Sequence, residues 1–448
     1  MADTRLLFTA MGSGAGKTTV TCAVLRALTG RGLSAVCCKC GPDFIDPMFH
    51  RAAVGVPSTN LDLYLSGPAA VRQILAARLR GADVAVLEGV MGYYDGVGVS
   101  DAASTWSVAE ATGTPAVLVL RPDGAALSLA AQVRGMCGFR TPSHLRAILL
   151  NGCSASLYER LAPMLMEQTG LPVAGYLPRM PAHAFQSRHL GLIPPQEQAR
   201  VQRSLDAWGR QCAATVDLPL LLEIAQSAPP LPEAPSIPQP AHADARIAVA
   251  RDEAFCFYYA ENLALLEAAG AQLCFFSPLR DRALPAGCGG LYLGGGWPEL
   301  FAEALAKNTA MRAAVRRAVR GGMPTLAECG GYLYLLDSLQ DDAGACFPMA
   351  GVLPGRSARA GLRRFGYAEL AARTDSFLLA KGERVRAHCF HYWDADVRGN
   401  DCLVTKPDGR AWACGFARDN LFASFAHLYF PGKPELAQSF VRAARGGH

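Results

Sequence analysis

The first part of the chain alternates short runs of apolar residues with longer stretches in which apolar residues recur at helical spacing. The runs at residues 6–10, 84–87 and 116–120 have the length of buried strands, and residues 20–28 carry a helical pattern. This alternation predicts an α/β fold with a mostly parallel sheet. In such a sheet ligands bind beyond the carboxyl ends of the strands, so candidate chemistry is sought directly after each apolar run.

A proline-dense segment separates this region from a second alternation of the same kind. Residues 226–244 have the composition of an extended, semi-rigid linker, and strand-like runs resume at residues 246–250. We therefore predict a first domain over residues 1–190, a connecting segment with the linker over 191–243, and a second α/β domain over 244–448. A chain of 448 residues is long enough for two such domains.

A glycine-rich loop that ends in Gly-Lys-Thr lies between the first strand and the first helix. Glycines let backbone N–H groups turn toward phosphate oxygens, and the lysine and threonine suit the terminal phosphates and Mg²⁺. Met11 stands where such a loop usually begins with glycine, so the match rests on the Gly-Lys-Thr end. The predicted contacts with ATP or GTP are Gly12, Ser13, Gly14, Gly16, Lys17, Thr18 and Thr19.

Two loops that follow strands carry acidic residues to this edge of the predicted sheet. One loop follows residues 35–38 and the other follows residues 84–87. Carboxylates hold Mg²⁺ directly or through water, and ATP chemistry requires such a metal; the alternative is that these acids only form turns and caps. The candidates are Lys39 for the nucleotide, Thr18, Asp43 and Glu88 for Mg²⁺, and Asp46 and Asp95 for positioning metal or substrate.

The second domain contains a cysteine between a short apolar strand and a helix. Residues 324–327 lead into Glu-Cys-Gly-Gly at 328–331, so Cys329 sits on an elbow that exposes a nucleophile and favours its thiolate. His427 is the best candidate for its base, and His388 and His391 are weaker ones. The predicted oxyanion donors come from the glycine turns, namely Gly295, Gly296 and Gly330.

Composition narrows the class of protein further. Hydrophobic residues make up 51% of the chain and charged residues 18%, which is typical of a globular protein. The net charge of +5 includes no dense basic run, and no apolar stretch reaches membrane-spanning length, so we expect a cytoplasmic protein that binds neither nucleic acid nor membrane. The 15 cysteines, including the Cys-x-x-Cys at 37–40, are expected to be reduced and mostly buried.

With these residues in view, the chain resembles the glutamine-dependent cobyrinic acid a,c-diamide synthases of cobalamin biosynthesis along nearly its whole length. The motifs that carry the resemblance lie at residues 12–19, 41–46, 60–62, 88–96, 188–192, 276–279, 294–296 and 328–331. The resemblance implies an N-terminal ATP-dependent amide-forming domain of the dethiobiotin synthetase type and a C-terminal class I type glutaminase. It also implies ATP and Mg²⁺ as cofactors, and cobyrinic acid or a related tetrapyrrole and glutamine as substrates.

The chain departs from the pattern of these enzymes at two places. These enzymes usually have the sequence Gly-His-Glu-Phe-His-Tyr where this chain has residues 387–392, so Cys389 stands in place of the glutamate. Tyr429 stands where ordinary class I glutaminases have an acid that orients the base. The resemblance therefore predicts a dyad of Cys329 and His427 without a third acid. Candidates for facing an anionic tetrapyrrole are Arg188, His189, Arg363 and Arg364.

Three rival functions are weighed against this one. Related amidotransferases act on hydrogenobyrinic acid, on nickel sirohydrochlorin or on other corrinoid carboxylates, and motifs do not separate them. A partition-type ATPase shares the phosphate loop, but its extra lysine would fall at Gly12 and it carries no elbow cysteine. A binding module with an inactive glutaminase is the third. The oligomeric state stays open, with a homodimer as one option.

Overall fold

The computed structural model describes residues 3–183, 195–231, 244–362 and 364–446. The chain divides into two compact units, Met1–Ser236 and Ile237–His448. Among the helices in these described ranges, none is long and apolar enough to cross a membrane.

The first unit is built on one seven-stranded sheet. The strand order is β3-β2-β4-β1-β5-β6-β7, and all neighbouring strands are parallel, which confirms the predicted α/β fold. A single π-helical turn, His50–Val54, follows α2. The elements are β1 (Arg5–Ala10), α1 (Lys17–Gly30), β2 (Ala35–Cys40), α2 (Ile45–Phe49), β3 (Ser58–Leu61), α3 (Leu63–Leu79), β4 (Val84–Glu88), α4 (Thr105–Thr112), β5 (Ala116–Leu120), α5 (Leu127–Gly138), β6 (Leu145–Asn151), α6 (Ala155–Thr169), β7 (Val173–Leu177), α7 (Pro195–Thr215) and α8 (Leu218–Gln226).

The central strands are buried along their whole length because helices cover both faces of the sheet. This explains why they read as continuous apolar runs. Besides Arg5 at the start of β1, two charged residues interrupt the pattern, Lys39 near the end of β2 and Glu88 at the end of β4, and these two are register partners. Both stand at the carboxyl edge, where the sheet topology places ligands.

The segment predicted as a connection contains the two helices α7 and α8, which belong to the first unit. Helix α7 packs closely on α1, since a Cβ atom at Gly209 would lie 2.7 Å from the Arg26 side chain. Arg26 also pairs with Asp206 at 2.8 Å. A short β-bridge between Gly175 and Val216 ties the end of α7 to the sheet.

The second unit combines a six-stranded sheet of order β20-β21-β11-β10-β8-β9 with two smaller sheets, β13-β12-β14-β17 and β19-β18-β15-β16-β22. The six-stranded sheet is parallel except for the β20–β21 pair. The elements are β8 (Ala245–Ala250), α9 (Ala260–Ala268), β9 (Ala271–Phe276), β10 (Gly290–Leu293), α10 (Ala302–Lys307), α11 (Thr309–Arg320), β11 (Thr325–Glu328), α12 (Gly330–Leu335), β12 (Ser338–Gln340), β13 (Cys346–Pro348), β14 (Arg356–Arg359), β15 (Gly366–Ala372), β16 (Arg384–Cys389), β17 (Trp393–Ala395), β18 (Cys402–Thr405), β19 (Ala411–Cys414), β20 (Phe416–Arg418), β21 (Leu421–Ser424), β22 (Ala426–Leu428) and α13 (Glu435–Arg445).

One chain segment links the parallel sheet of this unit to an antiparallel one. Strand β21 pairs with β11, and after Phe425 the chain continues as β22, which pairs with β16. The cysteine elbow directly follows β11, and His427 lies in the middle of β22. Cys329 therefore lies at the end of β11, and His427 lies on β22, which continues the chain from β21, the neighbour of β11.

Candidate active sites

The predicted phosphate loop has the backbone that its glycines lead one to expect. Gly14 and Gly16 adopt left-handed conformations with φ of 80° and 88°, and Gly16 caps the N-terminus of α1. A Cβ atom at Gly16 would lie 2.1 Å from the Asn151 side-chain nitrogen, which itself donates to the Ala15 carbonyl at 2.8 Å. Ser13 is exposed, and Thr19 is half-buried in the first turn of α1. The loop thus presents an open cradle at a helix N-terminus.

Lys17 is a buried cation at the mouth of this cradle. Its Nζ donates to the Gly12 carbonyl at 3.1 Å and to the Met91 carbonyl. Burial, together with the nearby Lys39 charge, lowers the pKa of Lys17 to about 8. An anionic ligand in the cradle would stabilise the charged form of this side chain.

Glu88 is the centre of a buried polar network beside the cradle. Its Oε1 accepts from the Thr18 hydroxyl at 2.6 Å and from Lys39 Nζ at 2.8 Å, and its Oε2 lies 3.1 Å from His50 Nε2. Burial alone would raise the pKa of Glu88, but the Lys39 ammonium and His50 hold it well below its usual range. The structure therefore places an ionised carboxylate against the hydroxyl of the Gly-Lys-Thr motif.

Lys39 joins Glu88 to the acidic loop that follows β2. Its Nζ contacts Asp46 Oδ2 at 2.6 Å and the Gly89 carbonyl at 3.2 Å. Burial would lower the pKa of Lys39, yet the carboxylates of Asp46 and Glu88 raise it above its usual value. A lysine with these two partners stays charged, and the partners compensate its charge.

Asp43 and Asp95 lie in the predicted loops, but their carboxylates bond to local backbone. Asp43 accepts from the Ile45 N–H at 2.9 Å, and Asp95 accepts from the Gly92 N–H at 2.9 Å. Among the residues that the structure describes, no group of three or more His, Cys, Asp or Glu side chains is arranged to hold a metal ion. The Thr18 hydroxyl and the Glu88 carboxylate, which are joined by a hydrogen bond of 2.6 Å, are the predicted metal-binding groups whose oxygens meet beside the cradle.

Cys329 occupies a strained elbow between β11 and α12. Its φ of 49° and ψ of −104° are unusual for a residue with a side chain, and its N–H donates to the Ser424 carbonyl at 2.8 Å. The residue is 7% exposed, and its Sγ lies 3.9 Å from the Phe390 carbonyl oxygen. Burial and the nearby Glu299 carboxyl raise the pKa of Cys329, while the Gly330 N–H opposes this shift. At rest Cys329 is therefore a buried thiol, and not the exposed thiolate that the elbow predicts.

The glycine turn at 294–296 lies between the elbow and the base candidate. A Cβ atom at Gly330 would lie 3.1 Å from the Gly296 nitrogen, and one at Gly295 would lie 2.6 Å from His427 Cε1. The turn therefore touches both the elbow and the imidazole, and the three predicted oxyanion glycines share one neighbourhood. Backbone N–H groups in such a place can face an oxyanion formed at the thiol.

His427 lies on β22 opposite His388 of β16 and is 1% exposed. Burial, with smaller contributions from His388 and His391, lowers the pKa of His427 to about 3. A neutral imidazole can accept a proton, as a base must. His391 is buried too, but its ring stacks on Phe425 and its Nδ1 lies 2.7 Å from the Trp393 carbonyl, which gives it a structural role.

Comparison with known proteins shows to which family the chain belongs. Residues 246–435 match the model of the CobB/CobQ-like glutamine amidotransferase domain. Cobyrinate a,c-diamide synthase of Salmonella typhimurium is 40% identical over 97% of this chain and 96% of its own length, and that of Dehalococcoides mccartyi is 37% identical over 99% and 98%. Hydrogenobyrinate a,c-diamide synthase of Thermobifida fusca is 39% identical over 98% and 96%.

The chain belongs to the cobyrinate a,c-diamide synthase family. It is an amidating ligase with a C-terminal glutamine amidotransferase domain, as the motifs predict. Solved structures align only weakly: chloroplast FtsY from Physcomitrella patens covers 45% of this chain and 64% of its own, at 13% identity and a TM-score of 0.31. That likeness is too weak to support an argument.

The residues at which this member of the family departs from the expected motifs are buried. Cys389 closes β16 opposite Ala426, and burial raises the pKa of its thiol to about 11. Tyr429 is fully buried and packs its ring against Tyr259 at 4.8 Å between centroids. Both side chains are part of the packing around the strand that carries the base.

Of the four candidate contacts with a tetrapyrrole, Arg364 lies in the described part of the chain. Arg188, His189 and Arg363 lie outside the described residues. Arg364 pairs with Asp394 at 2.8 Å, and its guanidinium lies 5.4 Å from the Trp412 ring centroid. Its charge is therefore already engaged within the glutaminase unit.

Sequence reasoning missed several residues that shape the phosphate site. His50 contacts Glu88 across the site, and Asn60 donates to the carbonyls of Gly41 and Asp43 at 2.9 and 2.7 Å. Asn151 fills the space beside Gly16. Asn60 lies in the motif at residues 60–62, but no role was predicted for it, and no local pattern marks His50 or Asn151.

Proposed function

We propose that the chain amidates the a and c side-chain carboxylates of cobyrinic acid in cobalamin biosynthesis, with ATP and Mg²⁺, using glutamine or free ammonia as nitrogen donor. The observation that carries this proposal is the identity of 37–40% to cobyrinate a,c-diamide synthases over nearly the whole chain. The geometry supports it, because one chain holds a phosphate cradle in its first unit and a cysteine elbow with a histidine in its second.

In the first unit, a carboxylate must be activated, since it does not react with ammonia at neutral pH. Transfer of the ATP γ-phosphoryl group to the carboxylate would give an acyl phosphate, which ammonia attacks with release of phosphate. Lys17 and the loop N–H groups would hold the phosphates, and Lys39 would stabilise the negative charge that develops nearby. Thr18 and Glu88 would hold Mg²⁺, which neutralises phosphate charge when it is bound.

In the second unit, Cys329 would attack the side-chain amide carbon of glutamine. The low pKa of His427 and the raised pKa of Cys329 mean that both groups are neutral at rest, so the thiol proton would pass to the imidazole during attack. His427 would then give this proton to the departing ammonia. Water would hydrolyse the thioester and release glutamate, with the backbone N–H groups of the glycine turns facing the oxyanion.

Ammonia that leaves the second unit must reach the acyl phosphate before it becomes ammonium. Cys329→Ala should then abolish the use of glutamine and preserve amidation with added ammonium salts.

Hydrogenobyrinic acid is the strongest alternative substrate, because a relative named hydrogenobyrinate a,c-diamide synthase is 39% identical, within the range of the cobyrinate enzymes. Nickel sirohydrochlorin is a more distant alternative. A partition-type ATPase is not favoured, because the second unit matches a glutamine amidotransferase domain.

The test is mass spectrometry of cobyrinic acid, hydrogenobyrinic acid and nickel sirohydrochlorin, each incubated with the protein, ATP, Mg²⁺ and glutamine. Conversion of two carboxyl groups to amides on cobyrinic acid, dependent on ATP, is the expected result. Faster conversion of another ring would reassign the substrate. Glutamine hydrolysis without amidation of any ring would refute the proposal.

A further inference from the structure

Glu328 is a buried carboxylate that the mechanism above does not use. It is the last residue of β11, directly before Cys329, and is 2% exposed. A carboxylate in such a place is costly unless hydrogen bonds compensate for lost hydration. Its contacts therefore indicate what the side chain does.

Both oxygens of Glu328 accept hydrogen bonds from neighbouring elements. Oε1 accepts from the Leu428 backbone N–H at 2.8 Å, and Oε2 accepts from the Tyr292 hydroxyl at 2.8 Å. Tyr292 belongs to β10 and is fully buried. Leu428 follows His427 directly on β22, so one side chain connects the strand of the nucleophile to the strand of the base.

This contact occurs at the outer edge of β22. Among the strands that the structure describes, β22 is the last of its sheet and its ladder partner is β16. The Glu328 carboxylate satisfies the Leu428 N–H in place of a neighbouring strand. Asn262 also holds this part of the chain, since it donates to the Leu428 carbonyl at 2.8 Å and accepts from the Phe430 N–H at 2.8 Å.

The electrostatics of Glu328 fit a neutral hydrogen-bonding role. Burial raises the pKa of Glu328 to about 7, and the bonds from Leu428 and Tyr292 counteract this shift only in part. Both of these partners are uncharged. The Leu428 N–H and the Tyr292 hydroxyl therefore need an acceptor at this position, and they do not need it to be charged.

We propose that Glu328 is a positioning residue for His427, which holds the base strand at a fixed place relative to the cysteine elbow through the Leu428 amide. The inference rests on the proposed glutaminase role of Cys329 and His427. It predicts that loss of the acceptor displaces the imidazole without altering the first unit.

The test compares Glu328→Leu with Glu328→Gln in the full-length chain. Leucine removes both acceptors at similar size, and glutamine retains one acceptor for the Leu428 N–H while Tyr292 can accept from its amide group. For Glu328→Leu, kcat for glutamine hydrolysis should fall by about 10- to 100-fold, as misplacement of a catalytic group by up to 1 Å does. The KM for glutamine and ammonium-dependent amidation should stay near wild type, and Glu328→Gln should recover most of kcat.

Two further variants keep the outcome interpretable. Glu328→Asp retains a carboxylate on a side chain one methylene shorter, which cannot span both partners, so its kcat should also fall. It serves as the test variant if Glu328→Leu does not fold. Asn308→Ala is the stability control, because Asn308 donates to the carbonyls of Pro278 and Asp281 at 2.8 and 2.7 Å and caps α11. It should lower the thermal midpoint and leave kcat per folded molecule unchanged.

Wild-type kcat in Glu328→Leu, or in Glu328→Asp where leucine is not tolerated, would overturn the inference. So would an equal loss of ammonium-dependent activity, since that would show a general structural role. If the wild-type chain itself hydrolyses no glutamine, the proposed function fails and this inference fails with it.

Discussion

Gly295 offers a direct test of the glutaminase geometry. A Cβ atom at this position would lie 2.6 Å from His427 Cε1, whereas ordinary van der Waals contact begins at 3.4 Å, so Gly295→Ala must move the imidazole or the turn by about 0.8 Å. Displacement of a catalytic group by about 1 Å can lower a rate by roughly 100-fold, which corresponds to about 3 kcal/mol of activation free energy. We expect kcat for glutamine hydrolysis to fall by about 10- to 100-fold.

The assay measures glutamate release and, separately, ATP-dependent amidation with ammonium as the only nitrogen source. Gly446→Ala is the matched control, because a Cβ atom there meets nothing nearer than 3.8 Å. Amidation with ammonium should be unchanged in both variants, because the change lies in the second unit. Glutamine hydrolysis at the wild-type rate in Gly295→Ala would refute the assignment of His427 as the base beside this turn.

Three more predictions follow from the two sites. Cys329→Ala should abolish glutamine-dependent amidation and keep amidation with ammonium salts, and equal loss with both nitrogen sources would contradict the division of labour. Lys17→Ala should abolish amidation with glutamine and with ammonium salts alike, and calorimetry should show that the variant no longer binds ATP. The pKa of His427 is lowered to about 3, below its value of about 6.5 in the unfolded chain, so the unfolded state binds more protons between pH 3 and 6.5. The free energy of unfolding in urea should therefore fall by roughly 1 kcal/mol per pH unit as the pH falls from 6.5. His427→Gln should reduce this slope, and an unchanged slope would contradict the lowered pKa of His427.

The local elements of both sites were predictable, because their signals are contiguous in sequence. A strand, a glycine-rich loop and a helix predict the cradle at Lys17, and a strand, Glu-Cys-Gly-Gly and a helix predict the elbow at Cys329. The fold class followed from the same alternation of apolar runs. In each case a few consecutive residues determine the backbone conformation.

The partners within each site could not be read from the sequence, because they depend on strand order and register. Lys39 faces Glu88 only because β2 lies beside β4 with these residues in register. Glu328 reaches Leu428 only because β21 leaves the parallel sheet and continues as β22. Helices α7 and α8 were missed as parts of the first unit since their contacts with α1 and β7 are non-local.

Glu88 and Glu328 occupy equivalent places in the two units, each as the last residue of a buried strand next to a loop that carries candidate catalytic or binding residues. Their surroundings differ in charge. The Lys39 ammonium and His50 hold the pKa of Glu88 well below its usual range, whereas Glu328 has only neutral donors and its pKa is raised to about 7. The first carboxylate is therefore needed as an anion, and the second as a hydrogen-bond acceptor.

The substitution of each glutamate by glutamine distinguishes these two roles. Glu88→Gln removes the charge that pairs with Lys39 and faces Thr18, and breaking a buried ion pair commonly costs about 3–5 kcal/mol. Because Glu88 is proposed to hold Mg²⁺ with Thr18, amidation per folded molecule should fall by about 100-fold or more with glutamine and with ammonium alike, while glutamine hydrolysis continues. Glu328→Gln should leave both reactions close to wild type. If Glu88→Gln retained full amidation, the charge at the end of β4 would be structural, and the metal role proposed for Glu88 with Thr18 would be wrong.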